Sequence, residues 1–401
     1  MVVVFTVAGL WPQGTEAVPS GQVNVDPPAL DDVIVVLDEG ADPEAVAREL
    51  GVTPTFIYDE AFTGFAAELP AAAREAAARR GDVAQITPDF PVRKFEQRLP
   101  TGVDRIDAEL NPRSAIGGDG GQIDVGIAIL DTGIGPNRDL NVVGGKNCIR
   151  GDWRKDGDGH GTHVAGIAAA RDNQRSVVGV APGARLWGVK VLNDNGGGTW
   201  SSVICGLEWV YEHRGTIDVV NMSLGGFGRD GDCTSTPPHR AICLVVNKGG
   251  VPVVVAAGNF GEDAARTVPA TYEQVITVSS FADLDGQPGG VAAGGCRGQQ
   301  DDTLDSDSNF GADIDIAAPG ACILSTWPRN DVQVLSGTSM AAPHVAGAIA
   351  LYLKKRPQAK PEEVRAWLLS DAASRPQSSP QGFSGDPDSF PERVLYLGGP
   401  S

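Results

Sequence analysis

The sequence predicts an α/β fold: a mostly parallel sheet covered by helices on both faces, preceded by a small α+β unit of βαββαβ order. Three observations lead there. From about residue 120, short apolar runs alternate with helix-length segments, as parallel strands with crossover helices require. The run "DVGIAILDTGI" (124–134) is apolar almost without a break, as expected of a strand buried on both faces. The chain has 401 residues, long for one compact core, so two domains are the default.

The small unit comes first. "DVIVVL" (32–37) reads as a strand. "DPEAVARELG" (42–51) reads as a helix opened by Asp42, with Pro43 in its first turn and Gly51 past its end. "PTFIYDEAFTGFAAEL" (54–69) reads as a hairpin turning near Asp59–Thr63, "PAAAREAAARRGD" (70–82) as a second helix, and "VAQITPDFPVRKF" (83–95) opens as a closing strand. That order suggests a split α/β sandwich. The unit has no cysteine and no grouping of catalytic side chains; taken alone it reads as a binding module.

In the larger part, 124–134, 185–192, 218–224 and 251–259 read as strands. Helices are expected over 160–170, 199–213, 237–250, 337–357 and 361–372, with a last strand at 393–398. Active groups in such sheets gather at the carboxyl ends of the strands.

The charge of −19 opposes nucleic acid and anionic membranes as partners. Six cysteines all follow residue 95; three disulfides fit an oxidising compartment, and free buried thiols are the alternative. Six cysteines allow 15 pairings. Proximity favours Cys233–Cys243 and Cys296–Cys322, leaving Cys148–Cys205. The apolar start "MVVVFTVAGL" reads as the remnant of a secretion signal within a leader over 1–30, a short apolar segment with no targeting role being the alternative, and no segment approaches a membrane span in length.

Asp131 ends an apolar strand, where a carboxylate is expensive unless it is used; a turn-capping aspartate in "DTG" is the bland alternative. His160 and His163 open a helix after "DGDG" and at this spacing could share a metal. His213 and His239 lie in polar or loop-like contexts, and His344 sits inside a buried helix as a structural residue. Ser339 starts the long apolar helix, where it could serve as a cap or as a nucleophile, since outward N–H groups there favour a developing anion.

Three motifs join these residues: "ILDTGI" around Asp131, "HGTHVAG" around His160 and "GTSMAAPHVAG" around Ser339. With them, residues 96–400 resemble the subtilisin-like serine peptidases, in the family's order Asp, His, Ser. The resemblance implies that Ser339 attacks a peptide carbonyl, His160 moves its proton, Asp131 orients the imidazole and Asn259 of "AAGN" binds the oxyanion. It makes His163 a second, non-catalytic histidine. It places substrate as an extended strand between Gly196, Gly197 and Gly198 on one side and Ser223, Leu224 and Gly225 on the other. Leu224, Ala257 and Gly258, with Thr267, would line a pocket for large apolar side chains.

The small unit (31–95) resembles the family's propeptide, an inhibitor and folding aid, through "FTGFAAELP"; "QRLPTGV" (97–103) resembles the start of a mature enzyme spanning 96–401. The maturation cut then falls between Phe95 and Glu96, with Phe95 in the enzyme's own pocket, whereas a lasting interdomain linker is the alternative. A structural Ca2+ is implied by Gln97, Asp139 and Asn173, with the carbonyls of Arg171, Arg175 and Val177. The sequence departs from the pattern in its basic Arg171 and Arg175 and in a segment from Asp131 to Asp139 one residue shorter than in some relatives. The expectation is thus a secreted, monomeric endopeptidase made as a zymogen, acting on protein or peptide substrates. A catalytically silent binding protein on the same fold and a metallohydrolase on His160 and His163 are the alternatives.

Overall fold

The computed structural model describes residues 2–3, 32–89, 97–117, 123–290, 292, 296 and 298–398. The leader, apart from residues 2–3, and the Phe95–Glu96 bond lie outside the described residues. The chain divides into two compact units, Leu10–Lys94 and Met1–Gly9 with Phe95–Ser401.

The smaller unit runs β1 (Asp32–Leu37), α1 (Pro43–Glu49), β2 (Phe56–Tyr58), β3 (Gly64–Glu68), α2 (Ala71–Ala78) and β4 (Val83–Pro88). Its sheet is antiparallel, in the order β2-β3-β1-β4. Asp42 caps α1 by accepting from the N–H groups of Glu44 and Ala45, at 3.0 and 3.2 Å. Alternate residues of β1 (Val33, Val35, Leu37) and of β3 with its end (Phe65, Ala67, Leu69) meet Val46, Ala47 and Ala77 in the core.

The larger unit holds β5 (Gly126–Asp131), β6 (Val142–Asn147), α3 (His160–Ala169), β7 (Arg185–Lys190), α4 (Trp200–Glu212), β8 (Val219–Met222), α5 (Pro237–Cys243), β9 (Val253–Ala256), β10 (Ile276–Ala282), β11 (Ile316–Ala321), α6 (Thr338–Lys355), α7 (Pro361–Leu368), β12 (Ser374–Pro376) and β13 (Arg393–Leu395). The main sheet has the order β12-β13-β11-β10-β9-β8-β5-β7-β6. Every neighbouring pair from β13 to β6 is parallel; β12 and the short Thr303–Leu304 strand beside β10 are antiparallel.

Helices cover both faces. On one, α3 and α6 pack through Val164, Ala165, Val345 and Ile349; on the other, α4 and α5 pack through Val203, Leu207 and Ile242. Between them β5 is buried along its whole length, which explains its unbroken apolar run. Strands β6, β10 and β11, and a hairpin over Ile323–Trp327 and Asp331–Leu335, were not anticipated. The helix expected over 237–250 is α-helical only to Cys243 and continues as a π-helical turn, Leu244–Lys248. Disulfides join Cys148 to Cys205, Cys233 to Cys243 and Cys296 to Cys322, the pairing that proximity favours.

Glu392, beside β13, is buried and accepts a short hydrogen bond from the Ser279 hydroxyl, while its Oε1 has no partner among the described residues. Burial pushes its carboxyl up to about 8, with the Ser279 hydrogen bond opposing and Asp386 and Asp388 reinforcing the shift. A carboxyl raised on folding is protonated in the native state while the unfolded chain has already ionised. Stability therefore declines as pH rises from the unfolded value of 4.5 towards 8. Glu392→Gln removes this dependence: it is expected to match the parent near pH 4 and to exceed it by a few kcal/mol near pH 8, read from denaturant midpoints at the two pH values.

Candidate active site

Asp131 is the last residue of β5 and fully buried. Its Oδ1 accepts from the Thr132 N–H and lies 2.7 Å from His160 Nδ1. His160 is the first residue of α3. Gly159 before it has φ +96°, and a Cβ there would run into the Trp327 ring, so only glycine lets the chain enter the helix here. With Nδ1–H donating to Asp131, the imidazole presents an unprotonated Nε2, which has no hydrogen-bond partner among the described residues. Burial disfavours a charged His160, but the Asp131 carboxylate, by charge and hydrogen bond, together with Asp158 and Asp156, more than offsets it and raises the pKa above the ordinary 6.5.

Ser339 is the second residue of α6 and fully buried; its hydroxyl donates to the Ser223 carbonyl at 3.4 Å. Asn259 is held by its amide oxygen, which accepts from Thr338 N–H and Oγ1 at 2.9 and 2.8 Å. That anchor turns its NH2 end towards Gly337, where φ is +135° and an added Cβ would lie 2.8 Å from Nδ2. The structure thus joins Asp131 to His160 and Asn259 to the start of the Ser339 helix. The serine hydroxyl itself bonds Ser223, not the imidazole.

His163, three residues after His160, is fully buried. Its Nε2 faces the carbonyls of Ile323 and Gln333, each at 3.0 Å, and burial pushes its pKa down to about 3. His344 donates from Nδ1 to Met340 O, as befits a structural residue. His239, expected in a polar or loop-like context, is instead buried in α5 and stacked on Tyr272 with centroids 3.8 Å apart. His213 stacks on Trp209.

Gly197 and Gly198 pair antiparallel with Val2 and Val3, and Gly196 adopts φ +72° in the turn before them. Ser223 and Leu224 are buried beside Gly225. Ala257, Gly258 and Thr267 are held together by Asn309, which donates from Nδ2 to Ala257 O and Thr267 Oγ1 and from its backbone to Gly258 O. Two exposed aromatics that sequence reasoning missed adjoin this group. Phe227 pairs in register with Thr267, Phe260 follows Asn259, and their rings lie 4.8 Å apart.

The residues of the implied calcium site also meet. Gln97 Nε2 donates to the carbonyls of Arg171 (2.7 Å) and Val177 (3.0 Å), and Asp139 Oδ1 accepts from Asn173 Nδ2 (2.7 Å). Arg175 N–H donates to Asn173 Oδ1 in the same loop. The Arg171 side chain turns away, to Asn141.

Fold and chemistry together define an α/β serine endopeptidase. A family model described as "Subtilase family" matches residues 122–386, and the chain belongs to that family. It is 40% identical to subtilisin DY of Bacillus licheniformis over 283 residues, 69% of this chain and 93% of that protein. It is 37% identical to an alkaline protease of Alkalihalobacillus alcalophilus, over 73% of this chain and 69% of that one. Among solved structures, a cold-adapted subtilisin-like serine proteinase superposes with a TM-score of 0.53 at 33% identity, over 68% of this chain and 88% of that chain.

Proposed function

We propose that the enzyme hydrolyses peptide bonds through an acyl-enzyme formed on Ser339. The 2.7 Å hydrogen bond between buried His160 Nδ1 and Asp131 carries this reading, because it fixes the tautomer whose Nε2 can accept a proton. Ser339 Oγ attacks the carbonyl carbon while its proton passes to His160 Nε2. The oxyanion is held by the Ser339 N–H and the Asn259 amide. His160 then protonates the leaving amine, and the C–N bond breaks. Water attacks the resulting ester, gives a proton to His160, and the acid leaves as Ser339 regains its hydrogen. A serine-directed fluorophosphonate should label the processed chain at Ser339 and abolish hydrolysis; an unlabelled chain would favour a binding protein on this fold.

Substrate lies as a strand between Gly196–Gly198 and Ser223–Gly225. Antiparallel pairing of Gly197–Gly198 with Val2–Val3 supports this, since it shows that this edge takes up an extended segment. Leu224, Ala257, Gly258 and Thr267 form the pocket, and the Phe227–Phe260 pair supports a preference for large apolar residues before the cut. The unit over 31–95 is a propeptide removed by the enzyme itself between Phe95 and Glu96. Three disulfides support secretion. No helix among the described residues is long and apolar enough to cross a membrane. The enzyme acts as a monomer.

Calcium fits the loop that gathers Gln97, Asp139, Asn173 and the carbonyls of Arg171, Arg175 and Val177. It is a set of hard oxygen donors around one carboxylate. Bound there, the ion would supply cross-linking charge and no chemistry. Chelation should therefore lower the melting temperature markedly while initial activity at low temperature changes little; an unchanged melting temperature would remove the site.

A further inference from the structure

We infer that Asp156 and Thr132 form a positioning device that holds the imidazole and its carboxylate in register; the inference rests on the catalytic reading above. Asp131 and His160 stand on different elements, the end of β5 and the start of α3, and the chain between them is a loop of 28 residues that includes β6. Something must fix strand end against helix start to within a fraction of an ångström, and Asp156 touches both. Its Oδ1 accepts from the Thr132 hydroxyl (2.8 Å) and from the Gly159 N–H (2.7 Å). Its Oδ2 accepts from Thr162 N–H (2.8 Å) and Thr162 Oγ1 (2.5 Å). Each oxygen thus has two donors, and the group is 7% exposed.

Thr132 completes the bridge from the other side. Its Oγ1 also accepts from the Gly161 N–H, the residue after His160, at 2.9 Å, while its own N–H donates to Asp131 Oδ1. Buried Lys190, at the end of β7, donates to Thr132 O and to Asp194 Oδ1, which also receives the Gly157 N–H. The result is a closed ring through Thr132, Asp156, Gly157, Asp194 and Lys190. A plain loop staple would tie the 151–159 segment to itself; this carboxylate instead ties the carboxylate-bearing strand to the first turn of the imidazole-bearing helix.

The test uses the processed enzyme prepared from the full-length chain, with active sites counted by fluorophosphonate. Thr132→Val keeps the shape but removes the hydroxyl that links Asp156 to Gly161; Asp156→Asn keeps one acceptor oxygen and loses the other. Each should lower kcat on the order of 10²-fold with KM within about twofold, the cost of a small misplacement of reacting groups. Thr132→Ser should restore it. The far-downfield proton resonance of His160 Nδ1–H should shift or broaden in Thr132→Val and return in Thr132→Ser. A Thr132→Val enzyme of unchanged kcat and unchanged resonance overturns the inference, as does a loss confined to KM or to melting temperature, even where Asp156→Asn fails to fold. Failure of the parent enzyme to label at Ser339 would instead sink the catalytic reading itself.

Discussion

Ser339→Ala is expected to lose on the order of 10⁶ in kcat, a figure taken over from subtilisin itself, with substrate binding preserved. The side chain is buried at the second position of α6, and alanine is an excellent helix former, so the variant should fold. The large loss follows because the neighbouring hydroxyl at that helix start, on Thr338, is already committed to the Asn259 amide oxygen and the Gly258 N–H. The same variant tests self-processing. Purified precursor should stay uncut, and an amino terminus at Glu96 in that material would assign the cut to another protease.

Asp131→Asn is expected to cost about 10⁴ in kcat near neutral pH, again a magnitude established on serine proteases of this mechanism. The amide is nearly isosteric, but Oδ1 accepts from both the Thr132 N–H and His160 Nδ1, so an NH2 placed there also takes the acceptor from Thr132. What changes is the proton: an asparagine NH2 facing His160 stabilises the other tautomer and leaves Nε2 protonated, unable to take the serine's hydrogen. The pH profile gives an independent check. With Asp131 in place the imidazole pKa is raised, so kcat/KM should fall on the acid side with a midpoint above 6.5. Removing the carboxylate should move that midpoint down, because burial then acts with less opposition.

Much of this was legible in the residues. The runs at 126–131, 219–222 and 253–256 are β-branched and apolar because helices cover both faces of the sheet. Three motifs marked the residues proposed as catalytic, of which Asp131 and His160 meet in the folded chain. What stayed hidden has physical reasons. Strand β6 carries Gly144 and Gly145, which weaken any strand signal, and the Trp187 and Trp153 rings press against them. Strand β11 contains Pro319 and Gly320, a pair that normally ends a strand. His239 looked solvated among prolines and Arg240, yet its ring is buried against Tyr272, a partner 33 residues on. Asp156 sits in "DGDG", where the local sequence names no partner for it; only the folded chain surrounds it with four donors.

Gly159 and Gly337 stand one residue before His160 and two before Ser339, each pressed against a neighbour that leaves no room for even a methyl group. Such places cannot be redesigned one letter at a time. An engineer wishing to re-aim this enzyme must leave both untouched and vary instead the walls around them, where Phe227 and Phe260 already face water.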